Sequence, residues 1–184
     1  PSSYEFVDMT LQLTSLRDDS VKRVVQNTVA VACSSDRNVA GGAKASVSTL
    51  DKDMFPITNL TDNDRKTVFG ATSTNKQPEI VLDFGADKHI NCLFLNENFE
   101  YYEKGITKYE IFYSQDGENW TFEKSGSITD LKSNLIFFNI ICARYLKFKI
   151  TECEPTEVYI NELEAYLFTD KETLVRMDVD AVKL

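Results

Sequence analysis

Residues 108–120 read Lys-Tyr-Glu-Ile-Phe-Tyr-Ser-Gln-Asp-Gly-Glu-Asn-Trp, and this stretch decides the fold class. From Lys108 to Ser114 polar and apolar residues alternate with the period of a half-buried β-strand. The Asp116-Gly117 pair that follows is a strong signal for a tight turn between two strands. Trp120 begins the next apolar run, so the stretch predicts a β-hairpin.

Short apolar runs separated by turn residues continue on both sides of this hairpin, from about residue 38 onward. Asn, Asp, Gly, Ser and Pro separate the runs, as is typical of strands joined by turns. The run His89–Asn96 is mostly apolar, which predicts a strand buried on both faces. The other predicted strands cover residues 78–85, 135–140, 144–151 and 158–168. An antiparallel sheet without helices must cover its apolar face with a second sheet, so the sequence predicts an all-β sandwich.

The length of 184 residues fits one domain with short appendages. We expect the sandwich to occupy residues 36–168 and residues 169–184 to form a C-terminal tail or arm. Residues 1–35 are predicted to be an N-terminal extension, drawn as a hairpin that turns at Asp18 and Asp19. Ser15–Ala30 can also be drawn as a helix, and its β-branched valines fit strands about as well.

Negative charge limits the classes of partner. Twenty Lys and Arg against 29 Asp and Glu give a net charge of −9, with a pI near 4.7. Without a positive field that could displace counterions from phosphates, the chain is not expected to bind nucleic acid. Repulsion of like charges also disfavours an anionic membrane.

The four cysteines do not have the paired spacing of a zinc site. Cys92 and Cys142 lie within apolar runs, which predicts small buried side chains. A disulfide that uses Cys33 or Cys153 remains open.

Catalytic chemistry has little support in the residues. His89 is the single histidine, and no nucleophile motif accompanies it. Acidic pairs such as Glu162 and Glu164 alternate along predicted strands and can share a face, but a glycosidase needs two carboxylates across a cleft ~5 to 9.5 Å wide. Surface charge is the expected role of such pairs, and the chain is predicted to have no catalytic residues.

Six motifs occur in an order that resembles one family. They are Asn38–Ser48, Asn59–Phe69, Ile80–Gly85, Lys108–Trp120, Ala143–Phe148 and Asn161–Tyr166. Together they resemble the coagulation-factor type C, or discoidin, domain of the galactose-binding-like superfamily, which includes carbohydrate-binding module family 32. The resemblance implies a jelly-roll-like antiparallel β-sandwich. Asn63 stands where the family usually has Gly, and Phe69 stands where it usually has Trp.

The loop 59–67 is rich in hard oxygen ligands, with Asn59, Asp62, Asn63, Asp64 and Thr67 close together in the sequence. Such a set suits Ca²⁺, which takes about 6–8 oxygen ligands. The alternative is an Asx-rich turn with a solvated cluster of charges. The family resemblance implies a structural Ca²⁺ held by Asp62, by backbone carbonyls near Asn59 and Asp64, by Thr67, and by Glu162 from the last strand.

The segment 96–104 carries aromatic residues among polar ones, between two predicted strands. A sugar needs an aromatic platform for its C–H face and hydrogen-bonding groups nearby. The candidate ligand residues are Asn96, Glu97, Phe99, Tyr101, Tyr102 and Lys104 in this segment and Arg65 beside the acidic loop. Alternatively, the aromatics pack on the rim of the sandwich, and Met54 with Phe55 forms an apolar spike for a membrane or a protein partner.

The resemblance implies a non-catalytic carbohydrate-binding module that recognises galactose-type or fucose-type sugars through rim loops. We expect an extracellular or cell-surface location and a partner such as the catalytic domain of a glycoside hydrolase. Two alternatives remain open. One is an adhesion domain for a protein or membrane, and the other is an assembly domain of a surface or viral particle whose terminal segments reach neighbouring chains.

Overall fold

The computed structural model describes residues 3–14, 22–33, 37–48, 50–51, 55–72, 77–97, 105–128, 133–153 and 157–168. The chain divides into two compact units, of which the first contains β1 (Ser3–Thr14) and β2 (Lys22–Cys33) and the second runs from Ser35 to Phe168. β1 and β2 pair antiparallel over 12 residues each, so the helical alternative for this region is wrong where it overlaps β2. The predicted turn at Asp18 and Asp19 and the predicted tail 169–184 lie outside the described residues, and the domain boundaries stay a prediction.

The second unit is one antiparallel sheet of eight strands, which confirms the all-β sandwich. The strands are β3 (Lys44–Val47), β4 (Leu50–Asp51), β5 (Phe69–Thr72), β6 (Glu79–Glu97), β7 (Ile106–Ser114), β8 (Thr121–Ser127), β9 (Ser133–Cys153) and β10 (Glu157–Tyr166). Their order in the sheet is β4-β5-β10-β6-β9-β7-β8, with β3 paired to β6 off this path. A short 3₁₀ helix, Ile57–Leu60, precedes the acidic loop. No helix in the described ranges has the length and hydropathy to cross a membrane.

The long strands β6 and β9 belong to both layers of the sandwich. The first half of β6 lies between β3 and β9, whereas its second half lies between β10 and β9. Register shifts in the β6–β9 pairing fall between Asp83 and Lys88 and between Ile90 and Cys92. Irregularities of this kind bend a strand, and strands that bend can pass from one sheet to another. The two predicted strands 78–85 and 89–96 are therefore one continuous strand.

The hydrophobic core lies between the two layers. Leu82, Ile111 and Phe148 enter it from one layer and Leu93 and Leu163 from the other, and all are fully buried. Four consecutive residues of β6, Cys92–Leu95, are buried, which confirms that this strand is covered on both faces. The quoted hairpin forms as predicted, with β7 paired to β8 and Gly117 at a φ of 78° in the turn.

The chain enters and leaves the second unit side by side. The backbone N–H of Val39 donates a hydrogen bond to the carbonyl of Ala165 at 2.9 Å. The side-chain oxygen of Asn38 accepts a hydrogen bond from the Ala165 N–H at 2.9 Å. The first and last described segments of the domain are thus held together by direct hydrogen bonds.

The described cysteines differ in how far their side chains are exposed. Cys92 is buried as predicted, but the prediction for Cys142 is wrong, because Cys142 is exposed. Cys142 lies between the buried residues Ile141 and Ala143, so strand alternation turns its side chain outward. Cys153 is a free thiol, and the side chain of Cys33 lies outside the described part of the chain.

Candidate metal and ligand site

Two acidic side chains of β10 lie on the face of their layer that points away from the core. Glu162 and Glu164 alternate with the core residues Leu163 and Ala165, so the period of the strand places them on the opposite face. They are nevertheless buried, with exposures of 0% and 3%. The expectation that this pair contributes surface charge is therefore wrong, because the loop 59–67 covers this face.

The acidic loop is shaped by its own side chains. Asp62 Oδ1 accepts a hydrogen bond from the Asp64 N–H at 2.9 Å, which is the Asx turn that such residues favour. Asn63 has a φ of 64°, the left-handed conformation that Asn tolerates better than most residues. Asn59 Nδ2 donates to the carbonyl of Val68 at 2.9 Å and closes the loop at its base.

Three oxygen atoms of this loop gather around the hydroxyl of Thr67. Thr67 Oγ1 lies 2.9 Å from Asp62 Oδ2, 2.9 Å from the carbonyl oxygen of Asp64 and 3.4 Å from that of Asn59. A hydroxyl has one proton, so it cannot donate to three acceptors at once. The arrangement concentrates oxygen lone pairs, which is what a hard cation requires. The structure thus brings together Asn59, Asp62, Asp64 and Thr67 of the predicted metal set.

Glu162 joins this cluster from β10. Its Oε1 accepts a hydrogen bond from the Asn63 N–H at 3.2 Å, whereas its Oε2 is buried and has no hydrogen-bond partner among the described residues. Burial raises the pKa of the Glu162 carboxyl to about 8, and the nearby carboxylates of Asp62 and Glu164 act in the same direction. A buried oxygen without a partner costs free energy that a cation would offset.

The donor set suits calcium better than a transition metal. It contains two carboxylates, two backbone carbonyls and one hydroxyl, all hard oxygen ligands. Across the ranges that the structure describes, no group of three or more His, Cys, Asp and Glu side chains is placed to hold an ion. An ion at this loop would therefore depend on the carbonyls and the hydroxyl as well as on Asp62 and Glu162.

Arg65, predicted as a ligand residue, is engaged in a buried ion pair. Its Nε and Nη2 donate to the two oxygens of Glu164 at 2.5 and 2.7 Å, and its guanidinium lies 4.6 Å from the ring centroid of Phe94. The Tyr166 hydroxyl also donates to Glu164. These contacts fix the loop 59–67 onto β10, and the Arg65 side chain is 23% exposed.

The other predicted ligand residues fall near the end of β6. Asn96 lies directly opposite Glu162 in the β6–β10 pairing and is half-buried. Glu97 is buried and its Oε2 accepts a hydrogen bond from the Ile106 N–H at 2.9 Å, which joins the last residue of β6 to the first of β7. Burial raises the pKa of the Glu97 carboxyl to about 7. Phe99, Tyr101, Tyr102 and Lys104 lie outside the described residues.

Phe55 packs against the protein instead of extending from it. Its ring makes an edge-to-face contact with Tyr159, with 5.5 Å between centroids, and its carbonyl accepts a hydrogen bond from Gly70 at 3.1 Å. Its proposed partner in an apolar spike, Met54, lies outside the described residues. The described contacts give Phe55 a packing role.

Sequence reasoning missed two asparagines that hold the site. Asn38 Nδ2 donates to the side-chain oxygen of Asn63 at 2.9 Å, and Asn161 Nδ2 donates to the carbonyl of Thr67 at 2.9 Å. Each bond joins residues far apart in the chain, so residue spacing gives no signal for it. Asn38 and Asn161 are the first residues of two of the six family motifs, and this position was the signal that could have identified them.

Solved structures of similar fold carry sugars. A carbohydrate-binding module from Clostridium perfringens, solved with GalNAc-β-1,3-galactose, has a TM-score of 0.64 and 22% identity, covering 70% of this chain and 97% of that chain. A chitosan-binding module from Paenibacillus sp. IK-5, solved with chitotriose, has a TM-score of 0.63 and 20% identity, covering 71% and 100%. A GH29 fucosidase from Ruminococcus gnavus, solved with fucose, has a TM-score of 0.63 and 23% identity. The match covers 73% of this chain but only 27% of the fucosidase chain.

Comparison with curated proteins finds no match. The family model of the F5/8 type C domain matches residues 42–163, which include the acidic loop, the hairpin and Glu162. The motif order, the sandwich and the family model agree with one another. The chain belongs to the F5/8 type C, or discoidin, domain family.

Proposed function

We propose that this protein is a non-catalytic carbohydrate-binding module that recognises galactose-type or fucose-type sugars through its rim loops. The observation that carries the proposal is its F5/8 type C fold, which it shares with modules solved in complex with galactose-containing and amino-sugar ligands. The segment 96–104 supplies the aromatic and polar residues that such a shallow site needs. Modules of this kind act outside the cell, which is where we place this one.

A structural Ca²⁺ belongs to the same proposal. Asp62, Glu162, Thr67 and the carbonyls of Asn59 and Asp64 would hold the ion. The ion would supply positive charge beside the buried carboxylate of Glu162. Support comes from the unpartnered Oε2 of Glu162 and from the oxygens gathered around Thr67. Asn96, opposite Glu162 on the neighbouring strand, would link the metal loop to the sugar-binding segment.

A glycan array with Ca²⁺ and with EDTA tests the proposed function. We expect wild-type protein to bind glycans that end in galactose or fucose. The Tyr101→Ala/Tyr102→Ala variant should lose binding because it removes the aromatic platform. Phe122→Ala is a matched control, because Phe122 is 53% exposed but lies on β8, outside the proposed site. An array with no signal in Ca²⁺, or one that loses signal only with Phe122→Ala, would contradict the proposal.

Attachment to a glycoside hydrolase is the proposed context. The fucosidase match spans a minor part of the enzyme chain, as expected of an accessory module. The role that we propose is to concentrate a partner catalytic domain on its substrate.

A further inference from the structure

Strand β9 is paired along both of its edges in one part and along a single edge in another. Residues 145–149 lie between β6 and β7, whereas residues 133–143 pair with β6 alone among the strands that the structure describes. This first part of β9 carries two exposed apolar side chains, Phe137 at 43% and Ile140 at 58% exposure. An unpaired strand edge beside exposed apolar residues is a template for pairing with another chain.

Side chains from β8 occupy backbone groups on this edge of β9. The Lys124 ammonium donates a hydrogen bond to the Phe137 carbonyl, with 2.5 Å between Nζ and the oxygen. Glu123 Oε1 accepts hydrogen bonds from the Asn139 N–H at 3.1 Å and from Asn139 Nδ2 at 2.9 Å. Phe137 and Asn139 are two residues apart, so their backbone groups point to the same edge, which is the edge that a partner strand would use.

A β-bulge explains how two consecutive residues of β8 reach the same edge. In a regular strand, neighbouring side chains point to opposite faces. Lys124 pairs with Ile111 of β7, but Phe122, two residues earlier, pairs with the very next residue of β7. Glu123 is therefore an extra residue without a counterpart on β7. Bulges of this kind re-aim side chains and are common at sheet edges, and here the bulge places a hydrogen-bond acceptor beside a donor.

We infer that Glu123 and Lys124 form a latch that protects the first part of β9 from strand addition by another copy of this chain. The carboxylate takes the place of a partner carbonyl, and the ammonium takes the place of a partner N–H. Charged side chains at an edge are one of the devices by which proteins avoid edge-to-edge association. The latch closes a surface that Phe137 and Ile140 would otherwise make adhesive. It acts independently of the sugar and of calcium.

Light scattering of the full chain over a concentration series tests the latch. The latch-free variant, Glu123→Ala with Lys124→Ala, should self-associate at a concentration about tenfold or more below that of wild type, because the edge of β9 is then unoccupied. Lys108→Ala with Glu152→Ala is the matched control. This exposed pair has the same charges, 2.8 Å apart, but it joins strands whose backbones are already paired. Its removal should leave the mass equal to that of wild type.

Two further measurements separate edge pairing from aggregation of unfolded protein. Asn139→Lys, added to the latch-free variant, places like charges where two β9 edges would meet and should return the mass to that of wild type. Hydrogen exchange in dilute samples reports on the latch in the monomer. Exchange of the Asn139 amide should be about fivefold faster in Glu123→Ala than in wild type, because the N–H loses its acceptor.

Four results would each overturn the inference. They are a latch-free variant that associates no more than wild type, equal association of the Lys108 and Glu152 control, association that persists after Asn139→Lys, and unchanged exchange of the Asn139 amide in Glu123→Ala.

Discussion

Two buried glutamates on the same face of β10 differ in how many hydrogen bonds their carboxylates accept. Glu164 accepts two hydrogen bonds from Arg65 and a third from the Tyr166 hydroxyl. Glu162 accepts one from the Asn63 N–H and keeps a buried oxygen without a partner among the described residues. The comparison teaches that burial alone does not define a site, since Glu164 is already saturated and only Glu162 retains capacity for a ligand.

Breaking the saturated pair should have the largest effect. Arg65→Met leaves Glu164 buried without its cation and should lower the free energy of unfolding by about 3–5 kcal/mol. Excess Ca²⁺ should not restore this loss, because the proposed calcium ligands include Glu162 and not Glu164. Denaturant unfolding with Ca²⁺ and with EDTA measures the change in the free energy of unfolding. Arg65→Lys is the matched control and should lose less, and a loss for Arg65→Met below ~1 kcal/mol would mean that the pair acts as a surface ion pair.

The unsaturated carboxylate should control the response to calcium. At a free Ca²⁺ concentration 100 times the dissociation constant, the wild type should gain about 2.7 kcal/mol of unfolding free energy. Glu162→Gln should lose this gain while remaining folded in EDTA, because the amide carries no buried charge. Thermal unfolding with Ca²⁺ and with EDTA provides the comparison, and equal gains in wild type and variant would rule out Glu162 as a ligand.

The pH dependence of stability should differ between metal-free and Ca²⁺-bound protein, because only the metal-free Glu162 carboxyl keeps a proton. In EDTA the folded state keeps the Glu162 proton up to a pKa of about 8, whereas the unfolded state releases it near 4.5. The folded state therefore binds more protons in this window, and stability falls as pH rises, by at most about 1.4 kcal/mol per pH unit for this group. Glu97, with its pKa raised to about 7, adds a decline of the same sign between 4.5 and 7.

Unfolding measured across pH 5 to 8 separates these contributions. Glu162→Gln should flatten the EDTA curve and leave the smaller decline due to Glu97. Saturating Ca²⁺ should remove the Glu162 part of the decline in the wild type, because a metal-bound carboxylate has no proton to keep. Identical pH slopes in wild type and Glu162→Gln would contradict the raised pKa.

The smallest effect concerns the loop residue that contacts Glu162. Asn63 has a positive φ of 64°, which Ala adopts at a cost of about 1 kcal/mol and Gly adopts freely. Asn63→Ala should therefore lower stability by about that amount more than Asn63→Gly does. Both variants lose the bond from Asn38, so the difference between them isolates the backbone conformation. Denaturant midpoints give the measurement, and equal midpoints would exclude a backbone cost.

The fold could be predicted because its signals are local. Alternation over residues 108–114 and the Asp116-Gly117 turn specify the hairpin without reference to the rest of the chain. The positive φ of Asn63 agrees with the Gly that the family usually has at this position. The bend that joins the predicted strands 78–85 and 89–96 into β6 could not be predicted, because a strand break and a bulge have similar sequences.

The candidate site depends on contacts between distant parts of the chain. Alternation correctly placed Glu162 and Glu164 on one face, but nothing near them indicates that this face is covered. Their burial comes from a loop 99 residues earlier, through Asn63 and Arg65. The prediction for Cys142 was wrong in the opposite direction. Its apolar neighbours suggested burial, whereas strand alternation exposes its side chain.

The hydrogen bonds that join Val39 and Asn38 to Ala165 have a mechanical consequence. A domain whose entry and exit points touch can be spliced into a surface turn of a host protein without stretching the host. Tension applied through the two ends would load these bonds first, before the pairing of β10 with β5 and β6.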